Sequence, residues 1–377
     1  MKVLHIAWLD NNKSNGVSVI VPGHVKSQCI YSTVALLNCS KIDIRNKEDV
    51  VGYTYFSLDD CPDGNISKIL GFEKPDIVIF HGIYFFYYFR AAKYLIEQSI
   101  PYVITPHGSL TNSAQLKKKY KKIVGNFLFF NYFIKNASAL QYLTEREKED
   151  SLDFNINSFV CGNAIELGAI EVTRGLKNDN SFNISYLGRL DPYHKGIDIL
   201  LEACNRISSF MRGNNIKLFI NGPDDNGGRK KIGNIINKYN LEDIVTLGDA
   251  LYDDQKRKKL CESDLFVLTS RFEGQPLAVL EALSLGVPVL LTPGTNMADD
   301  IEKYKCGWKA DFSVDGIAEQ IINAYRARSE RELYTKNALK YIADKYSWSN
   351  VSRRAIEEYE KIVNAVNTVN IERVTTW

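Results

Sequence analysis

Thr269–Gly294 reads TSRFEGQPLAVLEALSLGVPVLLTPG, and the order of residue types in it decides the fold. The apolar run Leu265–Thr269 suits a buried strand. A polar loop with Glu273, Gly274 and Gln275 follows, then an apolar-rich helix over Leu277–Leu285, then a second buried strand, Pro288–Leu291. Strand, loop, helix and strand in so short a span is a β/α/β unit, which requires a parallel sheet. Pro276 suits a first helical position, and Gly274 permits a turn that no side chain obstructs. The unbonded N–H groups at the helix start make an anion site. Glu273 and Glu281 are separated by seven residues, mostly helical, which sets their carboxylates roughly 10 Å apart. That exceeds the ~5–5.5 Å of a retaining-glycosidase pair. It suits two hydroxyl-bearing rings on either side of a phosphate, and equally a turn Glu plus a solvent-facing helix Glu.

Upstream, Tyr186–Asp198 reads YLGRLDPYHKGID. A strand ends at Gly188, and its loop supplies Arg189 and Lys195 before a helix opens at Gly196. An Arg fork and a Lys point charge at a strand's carboxyl end suit a diphosphate. Loop cations are also commonly solvated surface.

Further out, the second half adds strands at Asn183–Tyr186, Lys217–Asn221 and Ile244–Leu247. The first half places them at Val3–Trp8, Val50–Phe56, Ile77–His81, Tyr102–Thr105, Ala139–Leu143 and Ser158–Cys161. Helices are predicted at His24–Asn38, Tyr84–Gln98, Gln115–Lys135 and Glu145–Leu152 in the first half, and after each strand of the second. Between the halves, Asn163–Ser181 reads as a linker; after Asp315 the chain is almost wholly helical. The expected architecture is α/β, two Rossmann-like domains, with a phosphate-bearing ligand at the carboxyl ends of the strands.

Composition agrees. The 377 residues suit two domains, and 45% hydrophobic with 24% charged residues is ordinary for a globular protein. Lys plus Arg is 47 against 45 Asp plus Glu, a net charge of +2, which removes bulk attraction to nucleic acid. No apolar run is long enough to span a bilayer, and MKVLHIAWLD reads as a first strand rather than a signal peptide. The 7 scattered cysteines, with no C-x-x-C pair, read as reduced thiols in a cytoplasmic protein. There is no Asp-x-Asp, so no metal clamp is expected, and neither half opens with G-x-G-x-x-G, which argues against a nicotinamide dehydrogenase.

With these two segments in hand, the chain resembles the retaining, nucleotide-sugar-dependent glycosyltransferases of glycosyltransferase family 4, and among them bacterial polysaccharide-biosynthesis enzymes. Glu273 and Glu281 match the family's E-x7-E element. Gly188, Arg189, Leu190, Lys195 and Gly196, with four residues between Leu190 and Lys195, match its G-R-L-x(4)-K-G element. The resemblance implies a GT-B fold. Residues 1–165 would be an acceptor-binding domain, 166–345 a donor domain, and 346–377 a helix returning to the first domain, with the two domains facing a cleft. It implies a hexosyltransferase working without metal or other cofactor. The donor would be a nucleotide-diphosphate sugar, UDP first and GDP second. The acceptor would be a glycan or a polyprenyl-diphosphate-linked saccharide. Arg189 and Lys195 would hold the diphosphate, Glu273 the transferred sugar and Glu281 the ribose. Backbone N–H groups across Gly274, Gln275, Pro276 and Leu277 would touch sugar and phosphate, Pro276 itself having none to give. Gly222, Pro223, Leu247 and Gly248 would line the nucleobase pocket. Gly16, after the first strand, would approach the phosphates, where many relatives have two glycines. His107, in TPHGSL, would reach the donor sugar or the reacting centre, or else be a structural imidazole.

Between Ser109 and Lys135 there is no acidic residue; Lys117, Lys118, Lys119, Lys121 and Lys122 precede Phe127, Phe129, Phe130, Tyr132 and Phe133. This reads either as a surface resting on anionic lipid at the inner face of the cell membrane, or as a solvated Lys face over packed aromatics. Two rival functions use the same residues: a GT-B-fold nucleotide-sugar epimerase, and a non-catalytic sugar-nucleotide-binding subunit.

Overall fold

The structure is a computed structural model that describes residues 1–10, 15–42, 44, 52–61, 66–69, 71–116, 119–167 and 181–375. The chain divides into two compact units, Met1–Ala164 with Trp348–Trp377, and Ile165–Ser347.

The first unit is built on a parallel sheet of β1 (Lys2–Ala7), β2 (Thr33–Asn38), β3 (Thr54–Phe56), β4 (Ile77–His81), β5 (Tyr102–Thr105), β6 (Ala139–Tyr142) and β7 (Ser158–Val160). Their order is β3-β2-β1-β4-β5-β6-β7. The second unit holds β8 (Phe182–Leu187), β9 (Ile216–Asn221), β10 (Val245–Gly248), β11 (Leu265–Leu268), β12 (Val289–Leu291) and β13 (Gly307–Lys309), ordered β10-β9-β8-β11-β12-β13. In both sheets strand order reverses beside the first strand, leaving a crevice at the carboxyl ends between β1 and β4 and between β8 and β11. Strands covered by helices on both faces are mostly apolar; β4, β5, β6 and β11 are buried at every position, with His81, Thr105 and Gln141 as their buried polar residues.

Several expectations need correction. The helix expected over His24–Asn38 is a helix at Gly16–Gln28 followed by β2. Pro22 and Gly23 sit inside that helix, and Gly23 leaves room for the Trp348 ring, which a Cβ would meet at 2.3 Å. The β-branched start of TVALLN favours the extended chain. The strand at Val50–Phe56 is Thr54–Phe56, with residues 50 and 51 outside the described residues. Of the linker, 168–180 lie outside them too. The helix over Gln115–Lys135 is broken into Asn112–Leu116, Lys119–Gly125, a π-helical turn at Asn126–Phe130, and Asn131–Lys135. Pro276 is not the first helical residue but the extended residue before Leu277–Ser284 (φ −75°, ψ 115°). The strand Gly307–Lys309 was too short to be legible.

The final helix, Trp348–Thr375, belongs to the first unit. Ser352 bonds Ser27 at 2.5 Å, Trp348 meets His24 edge-on at 5.3 Å, and Tyr359 is fully buried. No helix among the described residues is long and apolar enough to cross a membrane. All 7 cysteines are free.

Candidate active site

The second unit's residues gather at its switch point. The loop after β8 carries Arg189 and Lys195, and the loop after β11 carries Glu273; β8 and β11 are hydrogen-bonded neighbours. Backbones approach closely here, and two glycines make that possible. Gly196 sits at φ +64°, where a Cβ would lie 1.9 Å from the Thr269 carbonyl oxygen. At Gly222 a Cβ would lie 1.7 Å from the Gly188 carbonyl oxygen. The loops are thereby locked together before any side chain is considered.

Lys195 Nζ meets Glu273 Oε1 at 2.5 Å, with both side chains 12% exposed. Ser270 Oγ donates to the same oxygen at 2.7 Å. Burial alone would raise the Glu273 carboxyl; the Lys195 ammonium outweighs it, with His194 and the Ser270 hydroxyl, and holds it below its ordinary value. Asn296, in the left-handed conformation, donates from Nδ2 to the Glu273 and Gly274 carbonyls at 2.5 and 3.2 Å, fixing the turn before the helix. His194 stacks on Phe272 at 4.1 Å and bonds the Phe272 carbonyl through Nε2 at 2.9 Å. That carbonyl only accepts, so Nε2 carries the proton; burial is the chief reason its pKa is lowered. Arg271 braces the loops with a bidentate pair to Asp198, 2.9 Å for each bond.

Arg189 is paired with Asp225 at 2.8 Å, from the loop after β9. Glu281, one helical face further on, is paired with Lys256. Gly222 and Pro223 follow β9, and Leu247 and Gly248 end β10, at the same edge of the sheet. The loop after β9 is shaped by Asp224, whose carboxylate accepts from the Gly227 and Arg229 N–H groups at 3.1 and 2.6 Å. Asp225, Lys256, Ser270, Asn296 and His194 were missed in the sequence reading. His194 and Ser270 lie within or beside the matched elements in sequence, whereas Asp225, Lys256 and Asn296 reach them only through folding, so no spacing rule could have found those three.

In the first unit Gly16 opens the helix Gly16–Gln28, and the Asn15 side chain caps Val17 N at 3.2 Å. Gly16, expected to approach the phosphates, is the first residue of a capped helix. His107 follows β5 at φ +51°, and Gly108 at φ +77°. Strained non-glycine backbone of this kind concentrates at functional sites. The turn is held by Glu147, whose buried carboxyl accepts from Gly108 N at 2.5 Å and Leu143 N at 2.7 Å. Burial raises that carboxyl to about 7 against those two bonds. His107 Nε2 bonds His81 Nδ1 at 3.1 Å, and burial lowers the His107 pKa to about 3.

Only part of the lysine run is described. Lys117 and Lys118 lie outside the described residues, as does the Lys119 side chain. Lys121 is exposed, while Lys122 folds back to the Ala114 carbonyl at 2.6 Å and over the Tyr84 ring. The aromatics divide: Phe133 is buried, and Phe127 is 84% exposed.

Residues 171–341 match the family model described as Glycosyl transferases group 1. Among curated relatives, an uncharacterised glycosyltransferase of Methanocaldococcus jannaschii is 27% identical over 187 residues, 49% of this chain and 46% of the relative. Protein CapJ of Staphylococcus aureus is 24% identical over 236 residues, 61% of this chain and 58% of the relative. The chain spans about half the length of the curated relatives it matches. Of solved structures, Anabaena Alr3699/HepE in complex with UDP and glucose superposes with a TM-score of 0.70 at 14% identity, covering 96% of this chain and 100% of that one. WaaG, a glycosyltransferase involved in lipopolysaccharide biosynthesis, gives 0.64 at 16%, covering 93% and 98%. The fold is GT-B, and residues 171–341 within it match the glycosyl transferases group 1 model.

Proposed function

We propose that this chain is a retaining hexosyltransferase of glycosyltransferase family 4, which transfers a sugar from a UDP-sugar to a glycan or lipid-linked saccharide in polysaccharide biosynthesis. The observation that carries the reading is the Lys195–Glu273 pair at the β8–β11 switch point, inside the segment that matches the family model. A cation and a sugar-binding carboxylate side by side fit a diphosphate and a hexose joined by one bond. Arg189 and Lys195 take the charge that grows on the diphosphate, with the N–H groups at the start of Leu277–Ser284. Glu273 orients the sugar, and Glu281 the ribose, shared with Lys256. The anomeric C–O bond to the diphosphate breaks as the acceptor hydroxyl attacks the same face. The hydroxyl proton passes to the departing phosphate oxygen. No metal is required in this scheme.

Thermal shift against UDP- and GDP-sugars tests it. Stabilisation by a UDP-sugar, followed by transfer in EDTA with the α/β configuration retained by NMR, is the expected result. An inverted linkage, or an epimer formed from the donor alone, overturns it.

The first unit rests on anionic lipid in this reading. What supports it is a run of exposed large apolar side chains, Leu116, Tyr120, Ile123, Val124, Phe127 and Leu128, beside Lys121. Replacing Tyr120 and Phe127 together by Asp is expected to cut sedimentation with phosphatidylglycerol vesicles at least about tenfold, since burying each ring is worth roughly 1.5–3 kcal/mol. Unchanged sedimentation would leave the lysines alone, or nothing, as the contact.

A further inference from the structure

His107 is the last member of a buried hydrogen-bond chain. His107 Nε2 bonds His81 Nδ1 at 3.1 Å, His81 Nε2 bonds His5 Nδ1 at 2.9 Å, and His5 Nε2 bonds Gln28 Oε1 at 2.9 Å. The Gln28 amide bonds the Tyr359 hydroxyl, which bonds Gln141 Oε1 at 2.7 Å, and Gln141 Nε2 bonds the Cys161 carbonyl at 3.1 Å. Sheet register builds the middle of it. Ala7 pairs with His81, so His5, two residues earlier on β1, shares a face with His81.

The direction of every proton in this chain follows from its far end. The Cys161 carbonyl can only accept, so the Gln141 amide nitrogen faces it and Gln141 Oε1 faces Tyr359. That oxygen also only accepts, so Tyr359 gives it its single proton. Tyr359 oxygen must then accept from the Gln28 NH2, which turns Gln28 Oε1 toward His5. His5 donates from Nε2 and accepts at Nδ1. His81 does the same, and so does His107 in turn. Burial keeps the imidazoles neutral: it lowers His5 and His107 to about 3 and holds His81 well below the ordinary imidazole value.

We infer that this chain fixes His107 as the Nε2–H tautomer and leaves Nδ1 as a bare acceptor, so that His107 takes a hydrogen bond from a substrate hydroxyl. Nδ1 has no hydrogen-bond partner among the described residues, and the His107 ring is the partly exposed end of the chain. A phosphate or carbonyl oxygen placed there would face a lone pair. His81, His5 and Gln28 are positioning residues that act through His107. The inference deepens the proposed function and rests on it only for the identity of the ligand, a sugar hydroxyl.

Two readouts separate the two ideas. Long-range proton–nitrogen NMR on protein labelled at the histidine rings needs no substrate. His5, His81 and His107 are expected to show protonated Nε2 and bare Nδ1, with no titration across neutral pH. Gln28→Met should keep the fold and give mixed tautomers at His107. A protonated His107 Nδ1 in the wild type overturns the inference even if sugar transfer is observed. In the second readout, donor and acceptor sugars with one hydroxyl replaced by fluorine, which accepts but does not donate, are assayed in turn. One replacement is expected to lower kcat/KM roughly three- to tenfold in the wild type and less in Gln28→Met. If every replacement acts equally in both proteins, no hydroxyl reaches Nδ1. The expected tautomers with no transfer to any acceptor would sink the proposed function and leave the relay standing.

Discussion

Lys195→Met is expected to lower kcat by about 10²–10³, the usual loss when one preorganised partner of developing charge is removed. It should destabilise the second unit as well. Glu273 is 12% exposed and would lose its cation, and stripping one partner from such a pair costs on the order of 3 kcal/mol. The double variant with Glu273→Gln should recover most of that stability and none of the activity. Recovered stability would show that the loss in Lys195→Met comes from the uncompensated Glu273 carboxylate. The pH profile gives a further check with a definite sign. In the wild type the Glu273 carboxyl is held below its ordinary value, so its stabilisation is present above the carboxylate range and is lost as pH falls through it. In Lys195→Met burial dominates and the carboxyl is raised. That contribution is then present at low pH and lost as pH rises. The Tm curves of the two proteins should therefore converge between about pH 6 and 3. Parallel curves would mean that Glu273 does not sense Lys195.

Gly196→Ala should show the second large effect, a fall in Tm of roughly 5–15 °C. The left-handed backbone costs a Cβ-bearing residue about 1–2 kcal/mol. The contact with the Thr269 carbonyl, at 1.9 Å, adds about 1–3 kcal/mol because backbone must move. Each kcal/mol is worth about 2–4 °C in a domain of this size. Activity should fall further than stability explains, because Lys195 is the adjacent residue. Gly213→Ala is the control, with nothing within 4 Å of the new Cβ. Calorimetry finding the two variants alike would refute the close-packed loop.

The parallel sheets were legible because a strand buried on both faces has to be spelled as an apolar run, as in IVIFH and YVIT. Thr33–Asn38 escaped because its apolar letters continue those of the helix before it. Gly307–Lys309 escaped because three residues carry no period. At the site, Arg189, Lys195, Glu273 and Glu281 could be read from fixed spacing around strand ends. Their ion-pair partners Asp225 and Lys256 come from another loop and from the helix Asp253–Cys261, and nothing in one sequence links them. The imidazole chain was illegible for the same reason. His5, His81 and His107 are dispersed along the chain, and only the β1–β4 register brings the first two to one face.

The division of the chain has a consequence for how it comes to fold. The second unit is inserted within the first, and its two ends are side by side: Ile165 bridges Ser347, and Ile165 N bonds the Tyr346 carbonyl at 2.8 Å. Once that insert is folded, Ala164 and Trp348 are connected through neighbouring points, and the entropy of closing a long loop no longer opposes docking of the final helix. On a ribosome the inserted unit is synthesised before Tyr359 emerges. The first unit must therefore wait, its sheet made but its closing helix missing, until the inserted unit has been synthesised. Tyr359 is also the link that orients Gln28, so the proton arrangement at His107 is set only after the inserted unit has been made.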